Sequence, residues 1–319
     1  TYANHVMAPS AGAALRKLEI LVGADTTETA TSTITAKNLT IRWRSRTACK
    51  YATSIDALNL DACDDLTLID PTFEYTGGAD DAALNRIAID VITDTKRIHV
   101  KGLRAFRTSG GGVSAWQGGI RAPVGIDLDD CVFEDLDVQA SDFGVAVQDG
   151  SGCVWRDVVC RHVDPIAGTF QFAASQGFHL ISTFDFRVHG LRCLDWAGQG
   201  ITFEDCTDAR ISALDVVAGD ANGVVFDGCT NLLVSDIMVR DLTANGVTGI
   251  GLIDCAFVSV SGFSVDSCNG GAGVIGVTVT SSDRFKMSEG RITTVGAEGM
   301  TFVTATRCHI RGVRLNDVG

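Results

Sequence analysis

The segment Gly200-Ile-Thr-Phe-Glu-Asp-Cys206 aligns with Gly223-Val-Val-Phe-Asp-Gly-Cys229 and with Gly249-Ile-Gly-Leu-Ile-Asp-Cys255. The aligned cysteines are separated by 229 − 206 = 23 and 255 − 229 = 26 residues. Beyond each Cys the apolar residues alternate with polar ones, as side chains do along a half-buried β-strand. A period of this length, with alternation inside each unit, predicts a solenoid built from short strands.

The same frame extends along most of the chain. With the residue six positions before the Cys as a marker, ten units follow from Ala57 onward, and a weaker unit starts near Ile34. The markers are Ala57, Arg86, Gly125, Gly144, Gly177, Gly200, Gly223, Gly249, Gly276 and Gly299. Each unit contains about three apolar segments separated by Gly, Asp, Asn and Ser, which predicts three strands and their turns. Strands that stack on their counterparts in the next unit form parallel sheets.

The composition excludes several classes of partner. The chain has 319 residues, 45% of them apolar, and a formal net charge of 26 − 39 = −13. Nucleic acids and anionic membrane surfaces need a basic footprint, so neither is an expected partner. No apolar run reaches the roughly 18 residues of a membrane span, so we predict no membrane insertion.

The eleven cysteines follow the repeat rather than a disulfide pattern. One predicted frame position holds Cys63, Cys131, Cys206, Cys229 and Cys255. Cys153 and Cys308 share a second position, and Cys160 and Cys193 share a third. Side chains stacked in register point alongside each other, which is poor disulfide geometry. We therefore interpret them as small buried thiols and infer folding in a reducing compartment.

The first 33 residues lack the repeat, and we predict that they form an N-terminal capping segment. Within them, residues 10–22 fit a helix with Ser10 as the N-cap and Leu15, Leu18 and Val22 on one face. The alternation of Leu18, Ile20 and Val22 fits a strand equally well. Either structure would shield the open end of a solenoid that spans residues 34–319.

These units resemble the coils of the right-handed parallel β-helix of pectate lyases, polygalacturonases and bacteriophage tailspikes. Phrases such as Lys37-Asn-Leu-Thr-Ile41 and Asp65-Leu-Thr-Leu68 are typical of the second strand in that superfamily. The expected fold is all-β, with about ten to eleven coils of three short strands. The tailspike resemblance implies a homotrimer that binds a bacterial cell-surface polysaccharide. It also implies a virion tail assembled in host cytoplasm, with a secreted protein as the alternative.

Two long insertions leave the predicted solenoid at the same corner. They cover residues 106–124, which include Trp116, and residues 161–176, which include His162, Asp164, Phe170 and Phe172. Loops on a rigid scaffold frequently form binding sites, so we expect them to wall a groove over the coils between them.

Acidic residues occupy outward positions of the first strand. Two residues before the Cys position the frame places Asp61, Asp90, Asp129, Gln148, Ile181, Glu204 and Asp227. Glu204 and Asp227 fall in adjacent coils about 4.8 Å apart, where repulsion should raise one pKa toward that of a general acid. Glycosidases use such carboxyl pairs. We predict Glu204 and Asp227 as catalytic residues, with Asp129 and Asp149 in the irregular coils as nearly equal candidates.

Substrate-binding candidates surround these acids. Trp116 and Trp196 come from turns and could stack on sugar rings, and His179 and Arg210 could hold anionic or hydroxyl-rich groups. Asp127 lies beside Asp129 in the irregular coils. No cofactor and no metal are predicted, although a calcium site at Asp127, Asp129 and Asp130 is an alternative because hard cations prefer clustered oxygens.

Each of these residues also has a structural interpretation. Acids at strand ends are common turn residues that accept backbone hydrogen bonds. An outward His is commonly solvated, and Trp196 could simply pack over a corner. The leading functional hypothesis is a polysaccharide depolymerase that acts by acid/base hydrolysis. The alternatives are a non-catalytic receptor-binding or structural β-helix, and a polysaccharide lyase or epimerase-like enzyme.

Overall fold

The computed structural model describes residues 18–22, 26–28, 30–43, 49–51, 55–76, 86–107, 116–162, 175–244, 246–268 and 273–318. These residues are almost entirely β-strand and turn. The chain divides into two compact units, Thr1–Phe172 and Ala173–Gly319. Every strand pairing within each unit is parallel, so the predicted all-β parallel β-helix is confirmed.

The described residues of the first unit form seventeen strands. In chain order they are β1 (Leu18–Val22), β2 (Thr26–Glu28), β3 (Ser32–Ile34), β4 (Lys37–Trp43), β5 (Cys49–Tyr51), β6 (Leu58–Leu60), β7 (Asp64–Ile69), β8 (Thr72–Tyr75), β9 (Ile87–Val91), β10 (Thr95–Lys96), β11 (His99–Lys101), β12 (Arg104–Arg107), β13 (Trp116–Ala122), β14 (Leu128–Asp129), β15 (Val132–Gln148), β16 (Gly150–Ser151) and β17 (Val154–His162).

In the second unit, the part of the chain that the structure describes forms fourteen strands. They are β18 (Gln176–Ile181), β19 (Arg187–Leu194), β20 (Gln199–Glu204), β21 (Thr207–Val217), β22 (Val224–Asp227), β23 (Thr230–Arg240), β24 (Thr248–Ile253), β25 (Ser259–Cys268), β26 (Ile275–Thr280), β27 (Lys286–Ser288), β28 (Arg291–Val295), β29 (Met300–Val303), β30 (His309–Arg311) and β31 (Arg314–Val318).

Each coil contributes one strand to each of three sheets, which we call the first, second and third sheets in chain order. In the second unit the first sheet stacks β18, β20, β22, β24, β26 and β29. The long strands β19, β21, β23 and β25 bend at a corner and supply both the second and the third sheet. The inward residues form continuous stacks; the rings of Phe203 and Phe226, for example, lie 5.3 Å apart and nearly parallel.

The recurring glycine of the repeat lies at the corner before the first sheet, where there is no room for a side chain. A Cβ on Gly223 would lie 2.6 Å from the carbonyl oxygen of Gly249 and 2.6 Å from Cγ1 of Val239. Gly177, Gly200, Gly249 and Gly276 meet the equivalent carbonyl and third-sheet side chain. The close approach of the backbone of the next coil therefore explains why glycine recurs at the marker position.

The cysteine column of the second unit follows the first sheet. Cys206, Cys229 and Cys255 are buried and unpaired, and each Sγ donates a hydrogen bond to a carbonyl of the preceding coil. In the next coil Ser282 donates to Leu252 O at 3.4 Å in the same way. The position requires a small side chain with a donor, and a thiol satisfies that requirement in an apolar column.

The register of the first unit corrects two markers. Leu58 pairs with Ile89, and Ile89 pairs with Ile120, so the markers after Ala57 are Ala88 and Gly119 instead of Arg86 and Gly125. Ile126, which directly follows the predicted marker Gly125, lies in the turn before β14 and is half-buried. The insertions in these coils changed the number of residues between markers but kept the alternation of apolar and polar residues. The predicted repeat frame was therefore misplaced.

The same correction moves Cys131. Val132 pairs with Val154, so the preceding residues Cys131 and Cys153 lie side by side at the start of the second strand. Cys131 therefore shares the position of Cys153 and not that of Cys63. Ten of the eleven cysteines are buried, Cys308 is exposed, and none forms a disulfide.

Parallel pairing begins before residue 34, the predicted start of the solenoid. Leu18 pairs with Leu39 and Val22 with Trp43, so residues 18–22 form a strand and the helix alternative is wrong for them. Ser10 and Leu15 lie outside the described residues, and the capping role of this segment stays a prediction.

Candidate functional site

Glu204 and Asp227 lie side by side on the outward face of the first sheet. They are register partners at the ends of β20 and β22. The preceding residues, Phe203 and Phe226, point inward and are fully buried, so strand alternation turns both carboxylates outward. The two acids thus come from neighbouring coils, whose backbones are about 4.8 Å apart.

His179 completes a cluster with Glu204. Its Nε2 lies 3.2 Å from Glu204 Oε2, and the side chains of His179 and Glu204 are 12% and 46% exposed. Burial lowers the pKa of His179, while the neighbouring Glu204 opposes that shift. A neutral imidazole that donates its Nε2 hydrogen to Glu204 holds this carboxylate in one orientation without neutralising it.

The pKa of Asp227 is shifted in the opposite direction from that of His179. Its pKa is raised, first by burial and then by the negative charges of Glu204, Asp254 and Asp205. Burial and the neighbouring negative charges both favour the protonated form of Asp227 relative to an isolated Asp side chain.

Two outward residues next to the carboxylate pair are nearly buried. Thr202 and Val225 point outward in register with His179, yet they are only 4% and 5% exposed. Thr202 Oγ1 donates a 2.6 Å hydrogen bond to Gln199 Oε1. We call His179, Thr202, Glu204 and Asp227 the carboxylate cluster. It brings together two carboxyl groups and an imidazole beside two nearly buried side chains.

Most other acids near strand ends are turn residues. Thirteen of the twenty-eight non-glycine residues with positive φ in the described part of the chain are Asp, including Asp149, Asp205 and Asp254. Asp and Asn adopt this left-handed conformation more readily than most residues do. Glu204 and Asp227 are not among the residues with positive φ. The structural interpretation therefore fits Asp149, which also accepts a 2.8 Å hydrogen bond from Gly125 N.

The acidic column predicted in the irregular coils does not form. Asp90 pairs with Asn59 and Arg121, two residues away from the predicted position, and makes a two-pronged ion pair with Arg121 at 2.9 and 2.7 Å. Asp129 lies in β14 and makes an ion pair with Lys96 at 3.3 Å. Both carboxylates are engaged in structural ion pairs, because the shifted register places them opposite cations.

Asp127 is exposed in the turn before β14. Its backbone N–H donates to Asp94 Oδ1 at 3.0 Å. No group of three or more His, Cys, Asp or Glu residues in the described segments is arranged to hold a metal, at Asp127 and its neighbours or elsewhere.

Neither predicted sugar-stacking tryptophan is available. Trp116 belongs to β13 and not to a loop, and it is 0% exposed beside Tyr75 and Tyr51. Trp196 is 1% exposed. The prediction that they bind sugar is wrong because each ring packs in the interior, where its large apolar area is removed from water.

Arg210 lies on a different sheet from the carboxylate cluster. It is on β21, beyond a corner formed by Asp205 and Asp208, both with positive φ. There it lines a separate cleft with residues of β23 and β25. The predicted grouping of Arg210 with Glu204 is therefore wrong, because the chain turns between the two residues.

Some residues near the site were not identified from the sequence, and some of the residues that were predicted lie outside the described segments. Thr202 and Gln199 belong to the same outward face, and strand alternation could have identified Thr202. Asp142, in β15, has a pKa raised to about 6 by burial, and no frame position marked it. Of the two predicted loops, residues 108–115 and 163–174 lie outside the described residues, as do Asp164, Phe170 and Phe172.

A membrane-spanning helix is absent from the part of the chain that the structure describes.

No protein-family model and no curated protein sequence matches this chain. Its fold is similar to that of several solved parallel β-helix proteins. A variant of the periplasmic alginate epimerase AlgG matches with a TM-score of 0.52 and 9% identity, over 93% of this chain and 77% of the epimerase.

Two other similar structures come from different proteins. Tailspike protein 2 of the Escherichia coli O157:H7 bacteriophage CAB120 has a TM-score of 0.39 and 12% identity, over 93% of this chain. The Azotobacter vinelandii mannuronan C-5 epimerase AlgE4 A-module has a TM-score of 0.35 and 11% identity, over 93% of this chain and 86% of the module. The present chain spans about a third (35%) of that tailspike's length. The similarity to the AlgG variant agrees with the parallel β-helix fold that the strand pairings show.

Proposed function

We propose that this β-helix binds a bacterial surface polysaccharide and cleaves it by acid/base glycoside hydrolysis at the carboxylate cluster. The observation that carries the proposal is the in-register pair Glu204 and Asp227, with His179 bonded to one member and the pKa of the other raised. Parallel β-helix neighbours that are named as an alginate epimerase and as tailspikes support a polysaccharide as the ligand class.

The roles follow from the electrostatics. Asp227 is the general acid, because its raised pKa favours the protonated form that donates to the glycosidic oxygen. Glu204 is the carboxylate that activates water or attacks the sugar, and His179 holds it in place. Thr202 and Val225, both nearly buried, lie in the row of residues next to the pair.

Substitution of either carboxylate tests this proposal. Wild-type protein is incubated with purified capsule and O-antigen polysaccharides, and reducing ends are counted over time. We expect Glu204→Gln and Asp227→Asn each to lower kcat by about 10²- to 10⁴-fold, the usual contribution of an acid/base residue. Asp241→Asn is the matched control, because it removes one charge from an exposed turn where Asn tolerates the same positive φ.

The outcomes separate the hypotheses. Normal cleavage by both Glu204→Gln and Asp227→Asn would place the reaction elsewhere. Products with the ultraviolet absorbance of an unsaturated uronate would identify a lyase. Polysaccharide binding without cleavage would identify a non-catalytic receptor-binding protein. Homotrimeric assembly and a position on a virion tail are further proposals that come from the tailspike resemblance; light scattering of the purified chain tests the first.

A further inference from the structure

The outward face of the second sheet in the second unit differs in charge from the rest of the molecule. Two columns of residues run along it in register. One holds Arg187, Arg210, Leu233, Ser259, Lys286 and His309, and the other His189, Ser212, Ser235, Ser261, Ser288 and Arg311. Neither column contains an acid, although the chain carries a net charge of −13.

A cleft of about 300 Å³ lies at the centre of this face. Its lining includes Arg210, Leu233 and the hydroxyl-bearing residues Ser212, Ser235, Ser259 and Ser261. We call it the serine cleft. It is formed by β21, β23 and β25, and it is separated from the carboxylate cluster by a corner of the coil.

The guanidinium of Arg210 is available for a ligand. Arg210 is exposed, and in the described part of the chain it has no ion-pair partner. By contrast, Arg192 and Arg240 on the third sheet both pair with Asp215, at 3.0 and 3.2 Å. Arg210 therefore makes no direct ion pair among the described residues, while comparable cations one sheet away are neutralised.

Two of the four serine hydroxyls in the cleft donate a hydrogen bond within the protein. Ser261 Oγ donates to Val234 O at 3.5 Å, and Ser235 Oγ donates to Asp236 Oδ2 at 3.0 Å. Since a hydroxyl has one proton, both oxygens keep only lone pairs for a ligand. A ligand that donates hydrogen bonds to Ser235 and Ser261 and offers an anionic acceptor to Arg210 fits this arrangement.

Leu233 adds an apolar surface between these polar groups. It is 55% exposed, in register between Arg210 and Ser259. A large exposed aliphatic side chain beside hydroxyls and a cation suits a ring with one apolar C–H face and polar edges. A sugar has such a ring, whereas a phosphate ion lacks both the apolar face and most of the donors.

We propose that the serine cleft binds an acidic oligosaccharide. The sugar carboxylate pairs with Arg210, its hydroxyls donate to Ser235 and Ser261, and its ring lies against Leu233. This is a binding site separate from the carboxylate cluster, and it performs no chemistry. It does not depend on hydrolysis at Glu204 and Asp227.

Calorimetric titration with defined oligosaccharides tests the cleft. The full chain carries Glu204→Gln, so that any hydrolysis is suppressed, and the probes are hexagalacturonate and neutral maltohexaose. We expect hexagalacturonate to bind and maltohexaose to bind at least about tenfold more weakly, since a hydrogen bond to a charged group contributes about 1.5–3 kcal/mol. Arg210→Gln should weaken hexagalacturonate binding by about tenfold.

Arg314→Gln is the matched control, because Arg314 is an exposed cation on the third sheet. It should change the Kd by less than about twofold. Arg187→Gln is a second variant on the same face and should weaken binding to a smaller extent. Three results would overturn the proposal. They are equal binding of the two oligosaccharides, an equal effect of Arg210→Gln and Arg314→Gln, and no binding of hexagalacturonate. If the wild-type chain cleaves no polysaccharide but hexagalacturonate still binds the serine cleft, only the proposed function is overturned.

Discussion

At the scale of single residues, Asp227 combines partial burial with nearby negative charge. Both effects disfavour its ionised form, and both raise its pKa above the usual value. Glu204 is held by a 3.2 Å contact with His179. Two chemically similar acids in neighbouring coils are thus placed in different environments, which is how a carboxyl pair divides the roles of proton donor and acceptor.

The raised pKa of Asp227 predicts how stability changes with pH. A raised folded-state pKa means that the native state prefers the protonated carboxyl, so stability is lost as pH rises through that pKa. Asp227→Asn removes this penalty. We expect its Tm at pH 7 to exceed that of the wild type by about 1–2 °C, given the partial exposure of the group.

The difference should vanish near pH 3, about or below the unfolded pKa of Asp, where both states bind the proton. Thermal unfolding followed by circular dichroism at the two pH values checks this, with Asp241→Asn as a control that should show no pH-dependent gain. A lower Tm for Asp227→Asn at pH 7 would mean that the carboxylate makes favourable contacts that outweigh its burial.

At the scale of the elements, one corner of the coil sets the period of the sequence. The marker glycine brings the first sheet close to the third, and the Cys position that follows the strand donates to the preceding coil. Turns between these points use residues with positive φ, many of them Asp. Each part of the coil therefore requires a particular residue type, whether it is a strand, a corner or a turn. Because these parts recur in every coil, the residue pattern repeats along the sequence.

Gly223→Ala is expected to destabilise the chain. The added Cβ would lie 2.6 Å from the backbone oxygen of Gly249, which cannot move without shifting a strand. Overpacking of this kind costs about 1–3 kcal/mol, or roughly 2–10 °C in Tm. Differential scanning calorimetry measures the shift.

The matched control is Gly251→Ala on the outward face of β24. Its Cβ would meet Val225 Cγ2 at 3.7 Å, an ordinary contact, and the Tm should change by less than about 2 °C. Equal effects of the two substitutions would show that close approach at the corner is not what requires the glycine.

At the scale of the whole molecule, each unit has its own stacked core, and the cysteines belong to those cores. Ten thiols are buried and one, Cys308, is exposed. Hydrogen bonds between neighbouring thiols and burial raise the pKa of Cys229 and of Cys255 well above that of a free thiol. A thiol that is both buried and protonated reacts slowly with disulfide reagents.

Thiol titration therefore reports on the integrity of the fold. We expect Ellman's reagent to modify one cysteine in the native protein, and all eleven in denaturant without prior reduction. Cys308→Ser should abolish the native reaction. Fewer than eleven reactive thiols in denaturant would reveal disulfides, and several fast-reacting thiols in the native protein would contradict the buried columns.

The fold was predictable because its determinants repeat. Glycine corners, inward pairs and the Cys position recur every 23 to 27 residues from Gly200 onward, and each such repeat favours the same parallel stacking. The outward direction of Glu204 and Asp227 followed from strand alternation alone. The hydrogen bond from His179 to Glu204 did not, because it depends on rotamers and on the spacing of neighbouring strands.

The sequence by itself therefore determined the architecture and the outward pair in the regular coils. Only the tertiary structure decided the register of the irregular coils, where the true markers Ala88 and Gly119 lie two and six residues from the predicted Arg86 and Gly125. The physical reason is that side chains alternate with a period of two, so a shift by an even number of residues leaves the apolar pattern unchanged. It nevertheless moves Asp90 and Asp129 away from a catalytic column and into ion pairs. The sign of φ, which separates a turn acid such as Asp149 from a strand acid such as Asp227, is likewise fixed only once the coils are stacked.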